Sequence, residues 1–121
     1  MLRIKRTRAP KDHGPDEKLV FGKSFSDHML EIEWDASTGW DLPRIVPFHD
    51  LQIHPAASAL HYAIQCFDGL KAYRSADNRP LLFRPLENMK RLNRSAERLG
   101  LPVLAYMLSP SRCRLSIQKS C

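Results

Sequence analysis

No apolar run in the 121 residues approaches the roughly 20 needed to span a bilayer, so no transmembrane helix is expected. The start, Met1 to Lys11, is cationic and lacks the apolar centre of a secretory signal, so secretion is not expected either. Cysteine is scarce: Cys66, Cys113 and Cys121 are an odd number without a CxxC pair. That composition excludes a disulfide framework and points to a reducing compartment. The P-loop, GxGxxG and GxSxG signatures are all missing. His49, His54, His61 and Cys66 stand near one another in the chain, but their spacings match neither HExxH nor CxxC. No metal site is expected from them.

Acidic residues are missing from the first eleven positions and few beyond residue 83, and this decides how the net charge of +6 is read. Residues 1–11 carry +5, residues 12–83 carry −5 and residues 84–121 carry +6. The middle is therefore acidic, with no interleaved aromatic–basic motif. A nucleic-acid binder is not expected.

What is present suits one small soluble domain, with 43% apolar and 26% charged residues. Residues 1–18 read as a mobile basic arm, which could also be a piece of a mitochondrial transit peptide. From Leu19 the chain changes character. Leu30, Ile32 and Trp34 alternate with Glu31 and Glu33, a strand with one buried face. Ser37-Thr38-Gly39 turns the chain. Arg44 to Phe48 and Leu51 to His54 are two further extended stretches.

Pro55 then opens a predicted helix over Ala56 to Cys66, with Leu60, Ile64 and Phe67 on one stripe. Asp68-Gly69 is its expected stop, with glycine in the left-handed C′ conformation. Leu70 to Arg74 and Pro80 to Arg84 read as strands joined by a turn at Ala76 to Arg79, where Asn78 tolerates positive φ. A second helix is predicted from Pro85 to Leu99. Met89, Leu92, Ala96 and Leu99 form its apolar stripe, Gly100 its C′ residue and Pro102 its block. The fold class expected is α/β or α+β: a small mixed β-sheet with two main helices.

Few residues point to chemistry by themselves. Tyr62 and Phe67 flank the glycine corner, and ordinary core is the default for both. Cys66 on an apolar helix reads as an inert thiol. Arg91 lies among Lys90, Arg94 and Arg98. Such a helix face can hold a phosphate, or can be a solvated basic surface.

Three collinear runs add a resemblance. They are LVFGKSFSDHMLEIEW from Leu19, RIVPFHDLQIHPAASALHYAIQCFDGLKAYR from Arg44, and LLFRPLENMKRLNRSAERLGLP from Leu81 to Pro102. Together they resemble the N-terminal small domain of the branched-chain amino acid aminotransferases, fold-type-IV pyridoxal-phosphate enzymes. The resemblance implies the small domain of the D-amino-acid/branched-chain aminotransferase-like fold over residues 19–102. Residues 103–121 then form a divergent tail.

The resemblance also implies a homodimeric enzyme acting on branched-chain amino acids and 2-oxo acids. Such an enzyme moves the amino group of leucine, isoleucine or valine to 2-oxoglutarate. Arg91 in NMKRL matches the arginine that holds the cofactor phosphate. Phe21, Tyr62 and Phe67 match aromatics lining the substrate pocket, the tyrosine across the dimer interface. The compartment implied is cytoplasmic or mitochondrial.

The departures bear on activity. None of Lys5, Lys11, Lys18, Lys23, Lys71, Lys90 and Lys119 stands in the context of the family's Schiff-base lysine, so no catalytic residue is expected in this chain. Asp68 replaces the family's glutamate in FEG. The chain reads as a truncated fragment, inactive alone and not expected to retain the cofactor. The alternative is a non-catalytic partner that docks onto a full-length subunit.

Overall fold

A computed structural model describes residues 2–12 and 19–104. They fall into two compact units, one within residues 2–50 and one beginning at Leu51. Together they hold small mixed sheets and two helices, the α+β composition expected.

The first unit is built on a three-stranded sheet of order β1-β5-β2. Strand β2 (His28–Glu31) runs antiparallel to β5 (Arg44–Pro47), with Leu30 opposite Ile45 and Glu31 opposite Arg44. Among the described residues Ile45 is the best-buried side chain, 1% exposed, because it sits on the central strand of this sheet. Within the stretch read as a mobile arm, Arg3–Ile4 form β1 and pair parallel to β5. The Thr7 N–H then donates to His28 Nε2 at 3.0 Å, and the Lys11 N–H to the Asp27 carboxylate at 3.2 Å. Phe25 and Phe48 stack with ring centroids 4.9 Å apart.

The alternation from Leu30 to Trp34 does not make one strand. β2 ends at Glu31, and Trp34–Asp35 (β3) instead pairs with Gly39–Trp40 (β4) as a separate hairpin. The expected turn supplies the reason. Gly39 takes φ 76°, and the Ser37 N–H donates to Asp35 Oδ1 at 2.8 Å, so a tight reversal claims the residues beside it. The Ser37 hydroxyl and backbone hold the Asp35 carboxyl below its usual range. Leu51 to His54 pairs with no strand among the described residues.

In the second unit, the first helix is shorter than predicted. α1 spans Ser58–Tyr62, and Ala63 ends it with φ 52° and ψ 32°. Gly69 does not have positive φ, so the left-handed stop falls six residues early, on a residue with a Cβ. Among the described residues nothing covers the stripe of Leu60, Ile64 and Phe67, and all three are exposed. A helix without a packed face has too little to offset its nucleation cost beyond one turn.

β6 (Ala72–Arg74) and β7 (Pro80–Leu82) form the expected hairpin, with Tyr73 opposite Leu81. Its turn uses Asn78 at φ 63°. α2 covers Pro85–Arg98, with proline in its first turn. It closes with two bonds, Leu101 N–H to Ala96 O at 2.9 Å and Gly100 N–H to Glu97 O at 3.1 Å. With Gly100 at φ 68°, this is a Schellman stop, placed where the sequence put it. The tail from residue 105 onward lies outside the described residues.

Candidate anion site on the second helix

α2 carries its charged side chains outward because its other faces are spoken for. Ala96 and Asn93 are buried, and Met89 and Leu92 are half-buried. Leu99, predicted on the apolar stripe, is instead exposed, and Asn93 takes the buried place. Asn93 Oδ1 accepts the Leu104 N–H at 3.2 Å, and its Nδ2 donates to Leu104 O at 3.5 Å. A polar residue replaces an apolar one there because the chain folding back beyond the helix brings a peptide group that must be paired. Arg84, Lys90, Arg94 and Arg98 are all exposed.

Arg91 is not a free cation on this face. Its Nε donates to Asp68 Oδ2 at 2.6 Å and its Nη2 to Asp68 Oδ1 at 2.7 Å, a bidentate pair. The two partners differ sharply in exposure: the Asp68 side chain is 7% exposed and that of Arg91 55%. Asn88, one turn earlier on α2, donates through Nδ2 to Asp68 Oδ1 at 3.2 Å and to Gly69 O at 2.7 Å. The guanidinium, followed by the Asn88 amide, holds the Asp68 carboxyl below its usual range; the carboxylate raises Arg91 in turn. Asp68 and Asn88 were missed as site residues. The available signal was the i, i+3 spacing that puts Asn88 and Arg91 on one face of a helix.

The three aromatics singled out by resemblance are all exposed. Tyr62 closes α1 and is 78% exposed; Phe67 precedes Asp68 and is 92% exposed. Phe21 belongs to the first unit and is fully exposed. Within the second unit, chain continuity brings Phe67 next to the carboxylate that Arg91 grips. Cys66, just before it, is a free thiol and half-buried.

The histidines are engaged separately. His49 Nε2 meets Glu31 Oε1 at 2.8 Å, His54 Nδ1 accepts the Ala56 N–H at 3.0 Å, and His61 Nε2 donates to Pro55 O at 2.6 Å. Among the described residues no three His, Cys, Asp or Glu side chains are grouped to hold a metal ion, and no helix is long and apolar enough to cross a membrane.

The donor chemistry of Arg91 fits the phosphate of a cofactor. A guanidinium has five N–H groups, and two point at Asp68, so a second oxyanion can be taken by the rest.

No family model matches the chain. Curated relatives do. The chain is 54% identical over 102 residues to the mitochondrial branched-chain-amino-acid aminotransferase of Rattus norvegicus, covering 84% of this chain and 26% of that protein. It is 61% identical over 89 residues to the cytosolic branched-chain-amino-acid aminotransferase of the same species, covering 73% and 22%. To the cytosolic enzyme of Saccharomyces cerevisiae it is 48% identical over 101 residues, covering 84% and 27%. The chain thus spans about a quarter of the length of these relatives.

Proposed function

From the premise that this chain belongs, over 84% of its length, to the branched-chain-amino-acid aminotransferase family, we propose that it carries part of a pyridoxal-phosphate site. The activity proposed for the whole protein is transfer of the amino group of leucine, isoleucine or valine to 2-oxoglutarate, by a homodimer. The observation that carries the reading is Arg91, a helix-borne guanidinium fixed by a buried carboxylate with three donors left over.

In this reading residues 19–102 are the family's small domain, and Arg3–Ile4 add an edge strand to its first sheet. Arg91 holds the cofactor phosphate, and bound pyridoxal phosphate supplies an electron sink for the α-carbon of the amino acid. By their match to the family's aromatics, Phe21 in the first unit and Tyr62 and Phe67 in the second are each assigned to apolar contact with an aliphatic substrate. Tyr62 serves the neighbouring subunit. Its exposure at the end of α1 supports this role, since a side chain offered across an interface has nothing to bury against in its own unit. The mitochondrial and cytosolic names of the relatives support a reducing compartment of either kind.

No proton-transferring group is assigned in this chain. Lys90 pairs with Glu87 at 3.0 Å, and Lys11 lies over Phe48. The chain alone is therefore expected not to transaminate. An absorbance titration with pyridoxal phosphate should show no stoichiometric covalent adduct and no conversion of leucine; adduct formation with turnover would overturn this.

A second reading is a non-catalytic partner that docks onto a full-length subunit. The apolar residues left exposed in the second unit favour it: Leu60, Tyr62, Phe67, Tyr73 and Phe83.

A further inference from the structure

We propose that Asp68 and Asn88 are positioning residues for Arg91, holding the guanidinium by one edge so that its other edge is a preset grip for a phosphate. This deepens the reading of Arg91 as a phosphate ligand and rests on it.

The guanidinium is planar. Nε–H and one Nη2–H lie along one edge, and both are taken by Asp68. The adjoining edge presents the second Nη2–H and a Nη1–H, parallel donors whose spacing matches two oxygens of a phosphate. Among the described residues, Nη1 has no hydrogen-bond partner. A carboxylate on the first edge therefore leaves the second one free while fixing the plane in which it lies.

The burial of the two partners gives the arrangement a direction. Asp68 is the inner member at 7% exposure and Arg91 the outer at 55%. Asp68 is in turn secured by Asn88, which holds both the carboxylate and the carbonyl of Gly69. The 68–69 corner, α2 and the arginine form one braced unit. A long, exposed arginine otherwise loses rotamer freedom when it takes a ligand, and the brace removes that cost beforehand.

An opposing effect must be weighed. A carboxylate beside the arginine lowers the local positive potential and so the attraction for an anion. Arg84, Arg94 and Arg98 on the same helix or at its start add positive charge without geometry, partly offset by Glu87. Attraction is thus available from several groups, whereas orientation comes from Asp68 and Asn88 alone, so orientation decides the balance.

The test uses the full chain with two probes, inorganic phosphate and pyridoxamine 5′-phosphate, which carries the phosphate but has no aldehyde to react with stray lysines. Affinities are measured by calorimetry, with circular dichroism of each variant as a fold control. Asp68→Asn should weaken both probes roughly tenfold, the scale on which outer partners of a ligand act. Asn88→Ala should act in the same direction, and Asp68→Glu should recover most of the loss. In an Arg91→Lys background, Asp68→Asn should change nothing, because the two act as one unit.

A readout on the unsubstituted chain needs no variant to fold. Without phosphate, the Arg91 Nε–H should give a slowly exchanging NMR signal; a freely exchanging one overturns the brace. Unchanged or tighter probe binding in Asp68→Asn also overturns it, and tighter binding makes Asp68 a competitor of the phosphate. If Arg91→Lys loses affinity but Asp68→Asn does not, this proposal falls and the phosphate reading stands. If Arg91→Lys itself changes nothing, both fall.

Discussion

A carboxylate that is buried and fork-bonded is a different chemical object from the same residue in an exposed turn, and Asp68 shows the consequence. Its hydrogen bond from Arg91 pulls its pKa below the ordinary 3.8, with help from Asn88 and against the cost of burial. A carboxyl depressed in the folded state stabilises that state at all pH values above its ordinary value. The contribution is lost as pH falls toward the folded value. The urea midpoints of the wild-type chain and Asp68→Asn should therefore keep a constant gap from neutral pH down to about pH 5 and converge through the acid range below it. A gap that widens on acidification would remove Asp68 from the role. Arg91 was legible in the sequence as a basic residue on a helix. Its partner was not, because Asp68 lies 23 positions away and only folding sets them 2.6 Å apart.

At the scale of elements, the two helix stops separate what local chemistry decides from what it does not. Gly100 was expected at positive φ and has it, with the pair of backbone bonds that completes the stop. Gly69 was expected there too and does not have it. Neither glycine has an atom within 4 Å of where a Cβ would stand, so backbone conformation alone sets the effect of adding one. Gly100→Ala should cost about 1 kcal/mol in urea denaturation, the penalty of a left-handed residue with a Cβ. Gly69→Ala should be neutral or stabilise by up to about 1 kcal/mol, since the unfolded chain loses freedom and the folded one is unstrained. Equal losses at both positions would restore the original reading of the Asp68-Gly69 corner. α2 could be read from its sequence because its proline start, its period and its glycine stop agree. α1 could not, because an apolar stripe counts only when something covers it.

For the molecule as a whole, the notable fact is how much apolar surface the second unit leaves open. Phe67 and Tyr62 rank among its most exposed side chains, and Phe83 is close behind. Such surface marks a place for a partner or a tendency to self-associate. Light scattering of the isolated chain should show mass rising with concentration. Adding a full-length branched-chain-amino-acid aminotransferase should instead move the chain into a defined complex on size exclusion. A monodisperse monomer that ignores the enzyme would remove the docking reading. Tyr62 and Phe67, for which ordinary core was the default reading, lie on this exposed surface. In this chain they are not core.

What the amino-acid order decided unaided was whatever depends on neighbours in the chain: the α2 span, its glycine stop, the asparagine turn at residue 78 and the tight reversal before Gly39. Family membership was legible too, because collinear runs survive without any knowledge of shape. Tertiary structure alone decided that the first helix ends at Tyr62, that Arg3–Ile4 join a sheet, and that Arg91 is clasped by Asp68. Each of these depends on groups distant in the chain, or on the absence of a covering surface. A sequence lists donors and apolar side chains, but only the fold determines which of them meet.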